Sequence, residues 1–162
     1  MDIPRLQQAI ARLNERTDQI TENVRAIEEC LADAQIGHYA SVLVDANSIV
    51  DDRGQDHGSH VRCLTYDKVG SKWRVCVEHS TDMAPEQREI KPWAECSRSE
   101  KLETIGKLDK LIDELASQIE QKSSLAENAA QSTAGILKSL RDSIPSLQNP
   151  FGLPTASENE GR

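Results

Sequence analysis

Residues 60–80 read HVRCLTYDKVGSKWRVCVEHS, and the Gly70-Ser71 pair at their centre decides the fold. Two residues of this kind close a tight hairpin, because glycine reaches the positive φ that the favoured turns need. His60 to Val69 and Lys72 to Ser80 then pair with Val69 opposite Lys72. That register puts Leu64, Tyr66, Trp73, Val75 and Val77 on one face and Cys63, Thr65, Asp67, Arg74, Cys76 and Glu78 on the other. Such alternation is what a sheet covered on one side requires. Asp67 faces Arg74 and Lys68 faces Trp73, two favourable cross-strand pairs worth about 0.2–1 kcal/mol each. Tyr39 to Asp45 predicts an earlier strand. Arg88 to Lys91 predicts a short later one, ended or confined to an edge by Pro92.

The flanking segments have a different period. Before the hairpin, Ile3, Ile10, Thr17, Val24 and Leu31 occupy heptad position a, and Leu6, Leu13, Ile20, Ile27 and Ala34 occupy position d. Apolar side chains repeating in this way over more than four heptads predict a coiled-coil helix. Pro4 fits its first turn, where a missing N–H leaves no acceptor unpaired, and Gly37 is placed to stop it. After the hairpin, Ser97-Arg98-Ser99-Glu100 fits a capping box. Ile105, Ile112, Ile119, Ala126, Thr133 and Leu140 then fall at a, and Leu108, Leu115, Lys122, Ala129 and Ile136 at d. Leu102, Leu111, Leu125 and Leu137 flank that seam, so the stripe is wider than a two-helix contact needs. Helices leaving one sheet in this way run antiparallel, and the second outlasts the first. Its last apolar residues either pack on another chain or fold back at a break near Ser132 to Gly135.

The predicted fold is therefore α+β, an antiparallel coiled-coil helical hairpin with a small antiparallel β-meander head between the two long helices. Residues 1–36 form the first helix, 37–96 the β-rich head, 97–144 the second helix and 145–162 a disordered tail. Three prolines among Ser, Asn, Glu and Gly leave the tail little to bury. The order helix, four strands, helix resembles the layout of prefoldin subunits. That resemblance is one of arrangement and carries no residue across.

Composition bounds the function. Aromatic residues make up 3% of the chain, low for a broad enzyme-like core, and charged residues 28%, suited to long solvated helices. The net charge of -8 is spread along the chain with no basic segment, which argues against nucleic acid or an anionic membrane as partner. No apolar run approaches the ~20 residues that span a bilayer. The first residues lack the plan of a signal peptide, so a cytoplasmic location is expected.

Chemistry-bearing motifs are sparse. Cys30, Cys63, Cys76 and Cys96 form no CxxC pair and read as reduced thiols, not a metal site or disulfide framework. The loop from Asp51 to His60 holds three carboxylates and two imidazoles, with His57 and His60 at a ligand-like spacing. Its glycines and polarity fit an exposed hairpin loop better than a metal site. No phosphate loop, Ser/His/Asp order or HExxH is present. No catalytic residue, cofactor, metal or small-molecule substrate is expected.

The expected function is that of a non-catalytic structural or adaptor protein. It would act through coiled-coil self-association, most simply as a homodimer, or through contact with another protein. The alternative is a chaperone-like or regulatory client-binding module of prefoldin-like layout. Leu102, Leu111, Leu125, Ile136, Leu137, Leu140 and Phe151 are the expected interface residues. Phe151 qualifies as an apolar island stiffened by Pro150 and Pro154.

Overall fold

A computed structural model of the chain describes residues 2–144. The tail expectation for 145–162, with Phe151, lies outside the described residues. The chain divides into two compact units, Met1–Ser117 and Gln118–Arg162. The class is α+β. A long N-terminal helix, α1 (Ile3–Asp33), leads into an antiparallel four-stranded sheet and then into C-terminal helix. The strands are β1 (Ala40–Val50), β2 (Asp56–Val69), β3 (Lys72–Thr81) and β4 (Ala84–Pro92), in the order β1-β2-β3-β4. A 3-10 turn (Trp93–Glu95) joins β4 to α2 (Arg98–Thr104), and a second (Ile105–Lys107) joins α2 to α3 (Leu108–Ser143).

The hairpin register agrees residue for residue with the reading from Gly70-Ser71, from Val69 opposite Lys72 to Arg62 opposite His79. Gly70 has φ +64°, the conformation a tight turn demands. The strands run longer than the alternation suggested, however. Residues 56–60 belong to β2, so the loop expected from Asp51 to His60 shrinks to a turn. Asp51 builds that turn: its Oδ1 accepts from Arg53 N and Gln55 N, each at 2.8 Å.

The first unit has one core. Leu64, Tyr66, Val75 and Val77 from the sheet meet Val24 of α1, Trp93, and Leu111 and Leu115 of α3. The heptad of α1 is used here in its second half, where Thr17, Thr21 and Val24 are buried. Thr17 and Thr21 satisfy their hydroxyls by donating to Leu13 O and Thr17 O, at 2.7 and 2.9 Å. The sheet's second face is less open than a one-sided sheet implies. Thr65 and Cys76 on it are fully buried. Tyr39 and Arg88 reach over it from opposite edges, Tyr39 OH donating to Glu78 at 3.5 Å and Arg88 to Glu78 at 3.4 Å.

Helix ends differ from expectation in three places. Gln35, at φ 55°, takes the left-handed position after α1 that Gly37 was expected to supply. Ile36 N donates to Leu31 O and Gln35 N to Ala32 O, both at 2.9 Å, the paired bonds of a Schellman ending. Gly37 instead lies against the Trp73 indole, where a Cβ would stand 3.1 Å from Nε1. The second helical segment is not continuous from Ser97, since the 3-10 turn at Ile105–Lys107 interrupts it. Buried Thr104 just before that turn donates to Glu100 O at 2.7 Å, a back-bond that bends helices, and Gly106 follows within it. No break occurs near Ser132 to Gly135, where α3 is unbroken.

Candidate functional site

Two kinds of surface stand out, an uncovered apolar stripe and a cleft beside β3. On α1 the a and d positions, buried or half-buried from Thr17 to Leu31, lie open in the first half. Ile3, Leu6, Ile10 and Leu13 are between 44% and 57% exposed. In the second unit, described through residue 144, Leu125 is 67% exposed, and Ile136, Leu137 and Leu140 are exposed as well. Leu102 on α2 is also exposed. Leu111 is not available: it is wholly buried in the first unit's core. There it belongs to the cluster that also holds Val24 of α1 and Leu64, Tyr66, Val75 and Val77 of the sheet.

The cleft has a volume of about 620 Å³ and lies where α1 ends. Arg25 and Glu28 of α1, Ile36, and Lys72, Trp73 and Arg74 of β3 line it. Val75 N donates to Glu28 Oε1 at 2.8 Å. Burial pushes the Glu28 carboxyl up from its ordinary value, and this outweighs the Val75 bond and the Arg74 and Arg25 charges, which pull it down. The folded chain therefore holds the Glu28 proton to higher pH than the unfolded chain does, so this group's contribution to stability falls as pH rises through that interval. Glu28→Gln lacks the titration. Its urea midpoint relative to the unaltered chain is expected to rise between about pH 4 and about pH 8. A flat difference would mean Glu28 is as well solvated folded as unfolded.

Glu100 runs the other way, which is why the difference between two chains is the readout. Burial raises its carboxyl, but the bonds from His79 and Cys96 and the charges of His79 and Lys91 together outweigh burial and lower it. His79 Nε2 lies 2.7 Å from Glu100 Oε1, so the carboxylate expected to complete the capping box is turned to β3 instead. Only the Ser97 half of the box forms, its Oγ accepting from Glu100 N at 3.3 Å. Nearby, Arg62 bridges Asp45 of β1 and Glu103 of α2, its Nη1 donating to Glu103 at 2.7 Å. These bonds tie the sheet to α2 and leave little free acid–base chemistry there.

The other chemical candidates are placed as follows. His57 lies 3.2 Å from Asp51 Oδ2, whereas the His60 ring packs beside His79 at 5.4 Å between centroids. Asp56 Oδ1 accepts from Gly58 N at 2.9 Å. Asp51 and His57 thus face each other, while Asp56 and His60 make contacts of their own. Among the described residues no group of three or more His, Cys, Asp or Glu is gathered as a metal would need. Burial pushes the Cys76 and Cys96 thiols up to about 12. No helix among the described residues is long and apolar enough to cross a membrane.

Sequence reasoning missed Glu28 and Trp93. Glu28 sits beside the α1 seam at a position where a solvated acid is ordinary. Trp93 is fully buried, and its Nε1 donates to Thr104 Oγ1 at 2.9 Å. Pro92 gave the available signal, since a strand ended by proline leaves its neighbour's edge open. No protein-family model, no curated protein and no solved structure matches the chain.

Proposed function

We propose that the chain is a non-catalytic structural or adaptor module that works through coiled-coil association of its helices, most simply with a second copy. In this reading the long helices run as an antiparallel hairpin, and two hairpins close into a four-helix bundle. The observation that carries it is the split use of the α1 heptad. Along one a/d seam, Thr17 and Val24 are buried and Ile20, Ile27 and Leu31 half-buried, whereas Ile3, Leu6, Ile10 and Leu13 are exposed. Burying each such Leu or Ile is worth roughly 1.5–3 kcal/mol relative to exposure. The open stripe on residues 118–144 supports the same reading. The raised thiols of Cys76 and Cys96 make those two side chains poor nucleophiles, because the thiolate is the reactive form.

Sedimentation equilibrium at ~100 μM is expected to give twice the monomer mass, since helical interfaces of this kind bind far more tightly than that. The triple substitution Leu6→Lys, Ile10→Lys and Leu13→Lys should give a monomer with the core's circular-dichroism signal kept. A monomeric unaltered chain at that concentration would sink the proposal.

A further inference from the structure

The open apolar residues of α1 have a spacing that reads the same in both directions. Ile3, Leu6, Ile10 and Leu13 are separated by three, four and three residues, a pattern symmetric about residue 8. They are 53%, 57%, 47% and 44% exposed, and the helix that carries them is unbroken from Ile3 to Asp33. With a second copy turned end for end about residue 8, Ile3 stands level with Leu13 of that copy, and Leu6 with Ile10. Each level then joins an a position to a d position, as the layers of an antiparallel coiled coil do, and each joins an Ile to a Leu.

The rest of α1 decides the direction. From Thr17 onward the same seam is taken up by the chain's own fold: Thr17 and Val24 are buried, and Ile20 and Leu31 pack on the core. A parallel partner in step with residues 3–13 would bring its folded body level with this one, along a seam that both bodies already fill. Turned the other way, Thr17 of the second copy falls beyond Ile3. Each folded body then starts past the end of the other helix.

Size and charge point the same way. Asp2, Ala9 and Arg16 share heptad position g, which lines one side of the seam. Asp2 is the N-cap, its Oδ1 accepting from Arg5 N at 3.1 Å, and the Arg16 guanidinium donates to the neutral Gln19 amide at 3.0 Å. Antiparallel pairing sets each Asp2 beside Arg16 of the second copy. It also sets Ala9 beside Ala9 near the axis, where a small side chain lets the helices close. Parallel pairing would set position g against position e, giving Asp2 only Gln7 and Arg16 only Thr21. An exposed ion pair adds little affinity, but it selects direction.

Given the self-association read above, we propose that α1 docks antiparallel on α1 of a second copy through Ile3, Leu6, Ile10 and Leu13, with the two-fold axis level with residue 8. The same patch serves both copies, so the contact closes at a pair.

Pulsed electron paramagnetic resonance on the full chain tests the direction. Cys30 and Cys63 are replaced by Ser, since Cys76 and Cys96 are buried and resist labelling. Gln8→Cys, Glu15→Cys and Glu22→Cys then each carry one spin label. All three positions are exposed and share heptad position f, so their lateral offset from the axis is equal. Antiparallel helices hold the two labels level at residue 8. They separate them along the axis by about 21 Å at residue 15 and about 42 Å at residue 22, from the rise of ~1.5 Å per residue in each copy. The measured distance should lengthen at each step. Ala9→Glu needs no cysteine change, and by setting two carboxylates together at the axis it should raise the dimer's dissociation constant at least ~tenfold. Gln8→Glu, on the outer face, should leave that constant within about twofold. In a sample that sediments as a dimer, a distance that stays constant over the three labels, as parallel helices give, overturns this proposal and leaves the self-association standing. So does a distance out of range at residue 8. A sample that sediments as a monomer overturns both. If the cysteine replacements unfold the chain, equal dissociation constants for Ala9→Glu and Gln8→Glu overturn the proposal by themselves.

Discussion

Trp93→Ala is expected to destabilise the first unit by about 3–5 kcal/mol, the usual cost of emptying a large aromatic site in a closed core. Trp93 is fully buried between the sheet and the helices, and it joins α2 through its bond to Thr104. Thr104 in turn donates to Glu100 O, so the indole and the last turn of α2 are fixed together. Removing the ring leaves a cavity and takes away a buried donor. Against the ~5–15 kcal/mol that holds a typical domain folded, the loss is large enough to populate unfolded chain at room temperature. Urea unfolding followed by circular dichroism measures it. A loss below about 1 kcal/mol would mean that the site collapses on itself and that Trp93 is not central to the core.

Leu111→Ala should cost about 2–5 kcal/mol, whereas Leu125→Ala should change the fold's stability by no more than about 0.5 kcal/mol. Both leucines flank the same heptad seam, yet one is wholly buried and the other is 67% exposed. The comparison needs dilute protein, where the midpoint no longer varies with concentration, so that association does not mask the difference. Equal effects would contradict the assignment of Leu111 to the core.

How legible the fold was depended on how tightly local chemistry pinned each element. Gly70-Ser71 fixed the central register, because a two-residue turn permits little choice and a slip of one would turn every side chain over. The ends of the strands were harder to read. Asp56-His57-Gly58-Ser59 shows no alternation, and Gly58 at φ +92° lies where a Cβ would collide with Asp82 and Met83. That close approach, not a pattern, keeps the segment in β2. The end of α1 was misplaced for a similar reason, since Gln35 adopts the conformation glycine usually supplies. For Leu111, the heptad described a helix facing helices, whereas the cluster it joins includes residues of the sheet. The cleft was half legible: Pro92 marked the end of β4, but no feature of residue 28 announced that its carboxylate would cap β3.

The two outer edges of the sheet are unlike, and this bears on how the folded chain behaves when crowded. β4 carries Glu86, Arg88, Glu89 and Lys91 between Pro85 and Pro92, a combination that repels an incoming strand. β1 has a single charged residue, Asp45, already engaged by Arg62, and its main guards are irregularities in pairing between Leu43 and Asp45 and between Ser48 and Val50. A growing β-fibre needs every added unit to offer two receptive edges. The two outer strands offer at most one, so edge-to-edge joining through β1 would end at a pair.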